Sequence, residues 1–445
     1  MLTFLALATA LITGATSAQE TSPTAQTQTI VQPPSGPGIP TVMIPPLTTP
    51  KITDTSAGPT HALGLQVAQI IAADLRSTGS ALIIGPDKVR VYSYPEVTGP
   101  LFSSWRTLGA KMLVTGFVQA RDDKRITIGC YLYDVAAGRE LARKGFVVPV
   151  DELRRGAHRC ADGIYTGLTG KPGMFDSRIT YVAESGAAWE RIKRVAIMDA
   201  DGSNHEFVTA GVTSALAPQT SPSGERIAYT AFVNRMPQVR IVDVATGVEQ
   251  PLLSGPAISF GPTFSPGGQR IVFSIAANGN TDLYAVDANG GVPQRLTATP
   301  GADTNPSFSP DGKQIVFESD RSGAAQLYVM NADGSGQRRI SFGGNRYSAP
   351  SWSSDGGWIA FAKADPRASG IGIMNPRGSD EKMLTSNPLD DGPSWGTSGQ
   401  SIVFYRPNPS GSRTSLFSVG AGGGEARQLI TPQGGSDPSW SAVQQ

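Results

Sequence analysis

The chain has 445 residues, of which 52 are Gly and 34 Pro, too many helix breakers for long helices to dominate it. Its 37 Lys and Arg against 36 Asp and Glu leave a net charge of +1, which offers no field for wrapping nucleic acid or docking on an anionic bilayer. Two Cys and three His exclude a disulfide scaffold and a His/Cys-rich metal centre, while a hydrophobic fraction of 39% is enough for two or three domains with true cores.

Residues 2–18, LTFLALATALITGATSA, form an uncharged apolar run that is too short, and too soon followed by polar sequence, to hold a helix across a bilayer. Residues 1–18 read as a signal peptide cut after Ala18, with small Thr16 and Ala18 before the cut, although no Lys or Arg precedes the run. No direct membrane span is expected, and no Cys stands after the cut to take a lipid. Residues 19–39, QETSPTAQTQTIVQPPSGPGI, have few apolar positions and no period, and are expected to be a disordered Pro/Thr/Gln-rich tether. The alternative is a free end near Gln19 that orders on a partner, for which Ile30 and Val31 are the apolar anchors.

From 40 to 170 the pattern is that of a small α/β domain. The stretch 63–79 places Leu63, Val67, Ile70, Ile71 and Leu75 on one helical face and ends at Gly79. Strands are expected over 81–85 and 111–120 with a short helix over 103–109 between them. Then RITIGCYLYDV alternates, with Ile126, Ile128, Cys130 and Leu132 on one face. A strand over GFVVPV (145–150) follows, and a helix over 151–170 carries Leu153, Ala157, Cys160, Ala161, Ile164 and Leu168 along one stripe. Cys130 and Cys160 thus face a common core, either as two buried thiols, the favoured reading, or as a disulfide if their Cα atoms come within about 7 Å.

A repeat fills residues 171–445. Pro218, Pro262, Pro306, Pro350, Pro393 and Pro438 open copies of a P-S-[FW]-S-P-D-G pattern at spacings of 44, 44, 44, 43 and 45 residues, the period of a propeller blade. Each copy continues into an apolar strand and then a second strand and polar turn, such as TDLYAVDANG or AQLYVMNADG. Residues 177–202 lack an opening strand, and PSWS at 438–441 is that missing strand. The expected fold is therefore a small amino-terminal α/β domain followed by an all-β six-bladed propeller, its ring closed by a carboxy-terminal strand that removes two open sheet edges. Asp287, Asp311, Asp333 and Asp355 fall where Asx side chains cap turn amides, and Phe264, Phe308, Trp352 and Trp395 where sheets pack.

Catalytic motifs are missing: there is no G-x-S-x-G, Walker loop, H-E-x-x-H, or G-x-G-x-x-G after a strand, and His61, His158 and His205 are scattered over different elements. No enzyme activity, cofactor or metal is expected. A propeller can also serve as a binding module for a glycan or small ligand in its channel, and this is the alternative reading.

Beyond the blades, four segments carry a more specific likeness: IAADLRSTG (71–79), WRTLGAKMLVTG (105–116), LYDVAAG (132–138) and RRGAHRCADGIYTGLTGKPGMFDSRITYV (154–182). In these the chain resembles the TolB family of the Tol-Pal system over residues 38–441. The resemblance implies a periplasmic scaffold acting in cell division and outer-membrane integrity. Its implied partners are the Pal lipoprotein, bound through propeller-mouth loops, TolA, bound through the amino-terminal segment, and other outer-membrane proteins. The chain departs from the family pattern in its long tail, in Cys160 at an aliphatic position, and in Gly163 inside a helix, where Gly costs about 1 kcal/mol relative to Ala.

Overall fold

The computed structural model describes residues 38–442 except 88, 188–189 and 344–345. The expected signal peptide and residues 19–37 of the tether, with Gln19, Ile30 and Val31, lie outside the described residues. The first domain runs through β1 (Thr41–Met43), the small hairpin of β2 (Asp54–Thr55) and β3 (Gly58–Pro59), α1 (Thr60–Thr78), β4 (Leu82–Ile84), α2 (Phe102–Thr107), β5 (Met112–Ala120), β6 (Arg125–Asp134), β7 (Arg139–Pro149) and α3 (Leu153–Thr169). Its sheet has the order β4-β1-β5-β6-β7, with β1 parallel to both neighbours and β5-β6-β7 an antiparallel meander.

The helical stripes of α1 and α3 meet the β6 face made by Ile126, Ile128, Cys130 and Leu132 in one core, as periods of 3.6 and 2 require. The opposite sheet face is covered by Tyr92, Val97 and the fully buried Trp105 of α2. Gly156 and Gly163 explain how closely α3 lies on the sheet. A Cβ on Gly156 would stand 2.6 Å from Ile128 Cδ1, and one on Gly163 would stand 2.5 Å from Lys144 Cγ. The helix propensity lost at Gly163 is exchanged for this approach.

Two expectations need correction. The strand expected at 145–150 begins at Arg139, because β7 is a sheet edge whose first half is polar and lacks the apolar alternation. Cys130 and Cys160 are joined by a disulfide with Cα atoms 6.0 Å apart, not held as two thiols. Packing α3 on β6 brings these two core-facing positions within bridging distance.

The second domain is a ring of six four-stranded sheets. Blade 1 combines β8 (Ser177–Ser185), β9 (Ile192–Asp199) and β10 (Glu206–Phe207) with the closing strand Gly434–Ala442, which pairs antiparallel with β8 as its innermost member. The hydrophobic core sits between blades rather than within them. Phe308, Ile315 and Phe317 of blade 4 pack on Val272, Leu283 and Ala285 of blade 3, and Val403 and Leu416 of blade 6 pack on Ile179 and Tyr181 of blade 1. Phe264, Phe308, Trp352 and Trp395 are buried in these seams.

The periodic prolines acquire a mechanism. Every innermost strand carries a register shift that spans its Pro. The preceding residue is left-handed in all six copies, at Ala217, Gly261, Asn305, Ala349, Gly392 and Asp437. A Pro at the bulge removes an amide that the broken ladder could not satisfy. The turn acids behave as expected: Asp311 accepts from the Lys313 amide at 3.0 Å, Asp355 from Gly357 at 2.9 Å, Asp333 from Ser335 at 2.9 Å and Asp287 from Asn289 at 2.8 Å.

Candidate functional site

Because strands alternate in direction within a blade, the start of each innermost strand and the end of the second strand open on one face of the ring. The P-D-G turns open on the other. The turn-side mouth holds a cavity of about 340 Å³ lined by Gln219, Thr220, Thr263, Ser307, Phe308 and Ser441 among others, a hydroxyl-rich wall without a titratable group.

The opposite mouth is acidic. Asp391 and Asp437 sit half-buried beside the bulges of blades 6 and 1, with Glu184 at the end of β8 and Glu318 at the corresponding place in blade 4. Asp437 accepts from the Ala217 amide at 3.3 Å, and Asp391 from the Gly392 amide at 2.7 Å. Glu318 accepts from Asn305 Nδ2 at 3.0 Å and lies 3.6 Å from Arg346. Glu184 is held by Lys193 at 3.0 Å and Arg191 at 3.1 Å.

Burial raises Asp437 above the ordinary carboxylate range; the Ala217 amide and Lys193 oppose this, and the charges of Asp391 and Glu184 reinforce it. Burial likewise raises Asp391 and Glu318, and burial together with the two neighbouring aspartates raises the Tyr405 phenol. Around the same face, buried acids are matched by arginines: Asp303 by a bidentate Arg321 at 2.9 Å, Asp390 by Arg406 at 2.5 Å and Asp282 by Arg295 at 2.6 Å. Asp391 and Asp437 have no such ion pair among the described residues. This mouth can therefore receive a partner's positive charge or hydrogen-bond donors.

The three histidines are not brought together. His61 is exposed at the start of α1, and His205 packs edge-on against Phe207 at 4.8 Å. His158 is buried on α3 against Asp74 of α1 and Asp201 of blade 1. No hydroxyl among the described residues reaches its Nε2, so His158 is not paired with a nucleophile there. Donor atoms of Asp74, His158 and Asp201 lie within 4.8 Å of one another. However, Asp201 Oδ2 already carries the Arg154 guanidinium and Asp74 Oδ2 is engaged by the ring's other nitrogen, which makes the group a salt-linked cluster. Sequence reasoning missed it, although one signal was visible: Asp74 interrupts the apolar stripe of α1, between Ile70, Ile71 and Leu75. Among the described residues no helix is long and apolar enough to cross a membrane.

Residues 42–141 match the model of the TolB amino-terminal domain, and residues 165–444 that of the TolB beta propeller domain. The chain belongs to the TolB family. The crystal structure of TolB from Acinetobacter baumannii superposes with a TM-score of 0.79 at 27% identity, covering 93% of this chain and 98% of that one. The Tol-Pal system protein TolB of Zymomonas mobilis is 47% identical over 200 residues, 45% of this chain and 44% of that protein. That of Rhizorhabdus wittichii is 48% identical over 193 residues, 43% and 44% of the two chains. The aligned part thus spans less than half the length of these two relatives. Membership in the TolB family places the protein in the periplasm.

Proposed function

We propose that the protein is a non-catalytic scaffold of the Tol-Pal system. It takes Pal on a mouth of its propeller and TolA on its amino-terminal segment, and so sustains outer-membrane integrity and the constriction of that membrane at division. The observation that carries this reading is the match to both TolB domain models, on a closed ring whose acidic mouth offers carboxylates and loops. A protein of this kind works through differential affinity for its partners in two states.

The test is a binding titration of the full chain with Pal. Arg346→Glu alters the acidic mouth and Thr263→Arg fills the hydroxyl-lined one. One of the two variants is expected to weaken Pal binding at least tenfold while the other leaves it intact. Wild-type affinity in both, or no Pal binding by the native chain, overturns the Pal half. Removal of residues 19–35 is expected to weaken TolA binding with no change in propeller melting, and unaltered TolA affinity overturns the tail half.

A further inference from the structure

The boundary between the two domains holds a buried histidine whose partners belong to both sides. His158 and Arg154 stand one turn apart on α3, Asp74 lies on α1, and Asp201 lies in the turn after β9 of the first blade. Asp74 Oδ2 is 2.7 Å from His158 Nδ1, and both side chains are 3% exposed. This carboxylate fixes the ring and keeps a proton on Nδ1. Nε2 is thereby aimed across the boundary, buried, without a hydrogen-bond partner among the described residues, and 3.9 Å from Asp201 Oδ2. Arg154 holds the other side of this contact, pairing with Asp201 and donating to Ser203 Oγ at 2.9 Å.

A neutral ring presents its Nε2 lone pair to the Asp201 carboxylate, two acceptors facing each other in a poorly solvated place. A protonated ring presents an N–H and a positive charge instead. We propose that His158 is a pH-dependent latch between the domains: the protonated ring draws the Asp201 turn of the propeller onto α3, and loss of the Nε2 proton loosens it.

Of the charges that face the ring, the acids fit this sense and Arg154 opposes it. Burial alone lowers the His158 value, but the bond to Asp74 and the charges of Asp74 and Asp201 outweigh burial and the opposing Arg154, leaving the ring above its ordinary value. Asp162 on α3, raised by burial to about 6, Asp176 before β8 and Asp199 at the end of β9 are the other acids around it. Asp74 and Arg154 travel with His158 because all three belong to the first domain, so the propeller's acids, Asp201 at contact distance and Asp199 behind it, are what the ring loses when the domains part. The ring's value is therefore higher docked than parted. Docking is strongest below the parted value and weakens as pH rises through the docked value. Linkage makes the effect reciprocal, so any partner that parts the domains releases a proton from His158.

The experiment uses the full chain. The His158 ring signal is titrated by NMR, and amide exchange of the 199–204 turn is followed at pH 6 and pH 8.5 with intrinsic exchange rates corrected. The wild-type turn is expected to be several-fold better protected at pH 6. Asp201→Asn is expected to lower the His158 midpoint and abolish the pH dependence of the turn, and His158→Gln, which still donates to Asp74, to abolish it too. Equal protection of the wild-type turn at the two pH values, or an unmoved His158 midpoint in Asp201→Asn, overturns the latch. Asp201 is 28% exposed, so its variant decides the matter even where His158→Gln does not fold.

Discussion

Trp440, on the last strand, donates its indole N–H to the hydroxyl of Ser177 at 2.8 Å, across 263 residues of sequence. Ser177 opens β8 and Trp440 lies opposite Ile179 in the ladder that closes the ring. The indole also packs on the seam formed by Ile179, Tyr181, Val403 and Leu416. One side chain thus joins the hydrogen-bonded and the apolar parts of the closure. Trp440→Ala is expected to cost about 3 kcal/mol, the lower end for loss of a large aromatic because the indole is only partly buried. Trp440→Phe keeps most of the packing and is expected to cost about 1 kcal/mol for the hydrogen bond. Denaturant unfolding of the two variants measures both, and equal losses would show that packing contributes nothing beyond the bond.

The Cys130–Cys160 bridge encloses a separation of 30 residues, for which the chain-entropy account gives roughly 3.5 kcal/mol. Reduction is therefore expected to lower the stability of the first domain by about that amount and to leave the propeller's transition where it was. Calorimetry with and without reductant resolves the two. A shift confined to the propeller would contradict the assignment of the bridge to the β6/α3 core.

The features that recur or alternate were legible before the structure was known. The 43 to 45 residue period, the displaced closing strand and the stripes of α1, β6 and α3 follow from patterns that a chain must repeat to bury a face. The polar half of β7 was not legible, because an edge strand exposed to water has no apolar alternation to show. Nor was the cluster at the domain boundary: Asp74, His158 and Asp201 come from three elements, and only the intrusion of Asp74 into an apolar stripe hinted at a buried partner. The acidic mouth has a similar origin, since Glu184 and Asp437 of blade 1, Glu318 of blade 4 and Asp391 of blade 6 come together only through the closure of the ring.

Ala349 and Ala217 hold left-handed backbone, with φ of 48° and 47°, where blades 3 and 6 use Gly261 and Gly392. A Cβ in this region costs roughly 1–2 kcal/mol, partly offset by the entropy that Gly loses on folding. Ala349→Gly is expected to stabilise the propeller by about 0.5–1 kcal/mol, and Ala217→Gly by a similar amount, the two adding because they lie in different blades. Urea midpoints measure this. A loss of stability in both would mean that the Cβ contacts outweigh the backbone strain.

Asp437 gives a prediction whose size depends on pH. Its carboxyl is raised above the unfolded value by burial and by Asp391 and Glu184. Between the two values the native state binds more protons than the unfolded chain, so this group's contribution to stability is greatest in acid and falls as pH rises through the folded value. Asp437→Asn keeps an oxygen for the Ala217 amide and tolerates the left-handed backbone, while removing the charge. The variant is expected to melt higher than the native chain at pH 7.5, by on the order of 2 °C, which corresponds to somewhat under about 1 kcal/mol in a domain of this size. The gain should shrink to nothing near pH 4, where the native carboxyl is already protonated. A gain of the same size at both pH values would assign it to something other than the charge. A loss at pH 7.5 would show that the ionised carboxylate holds the seam together.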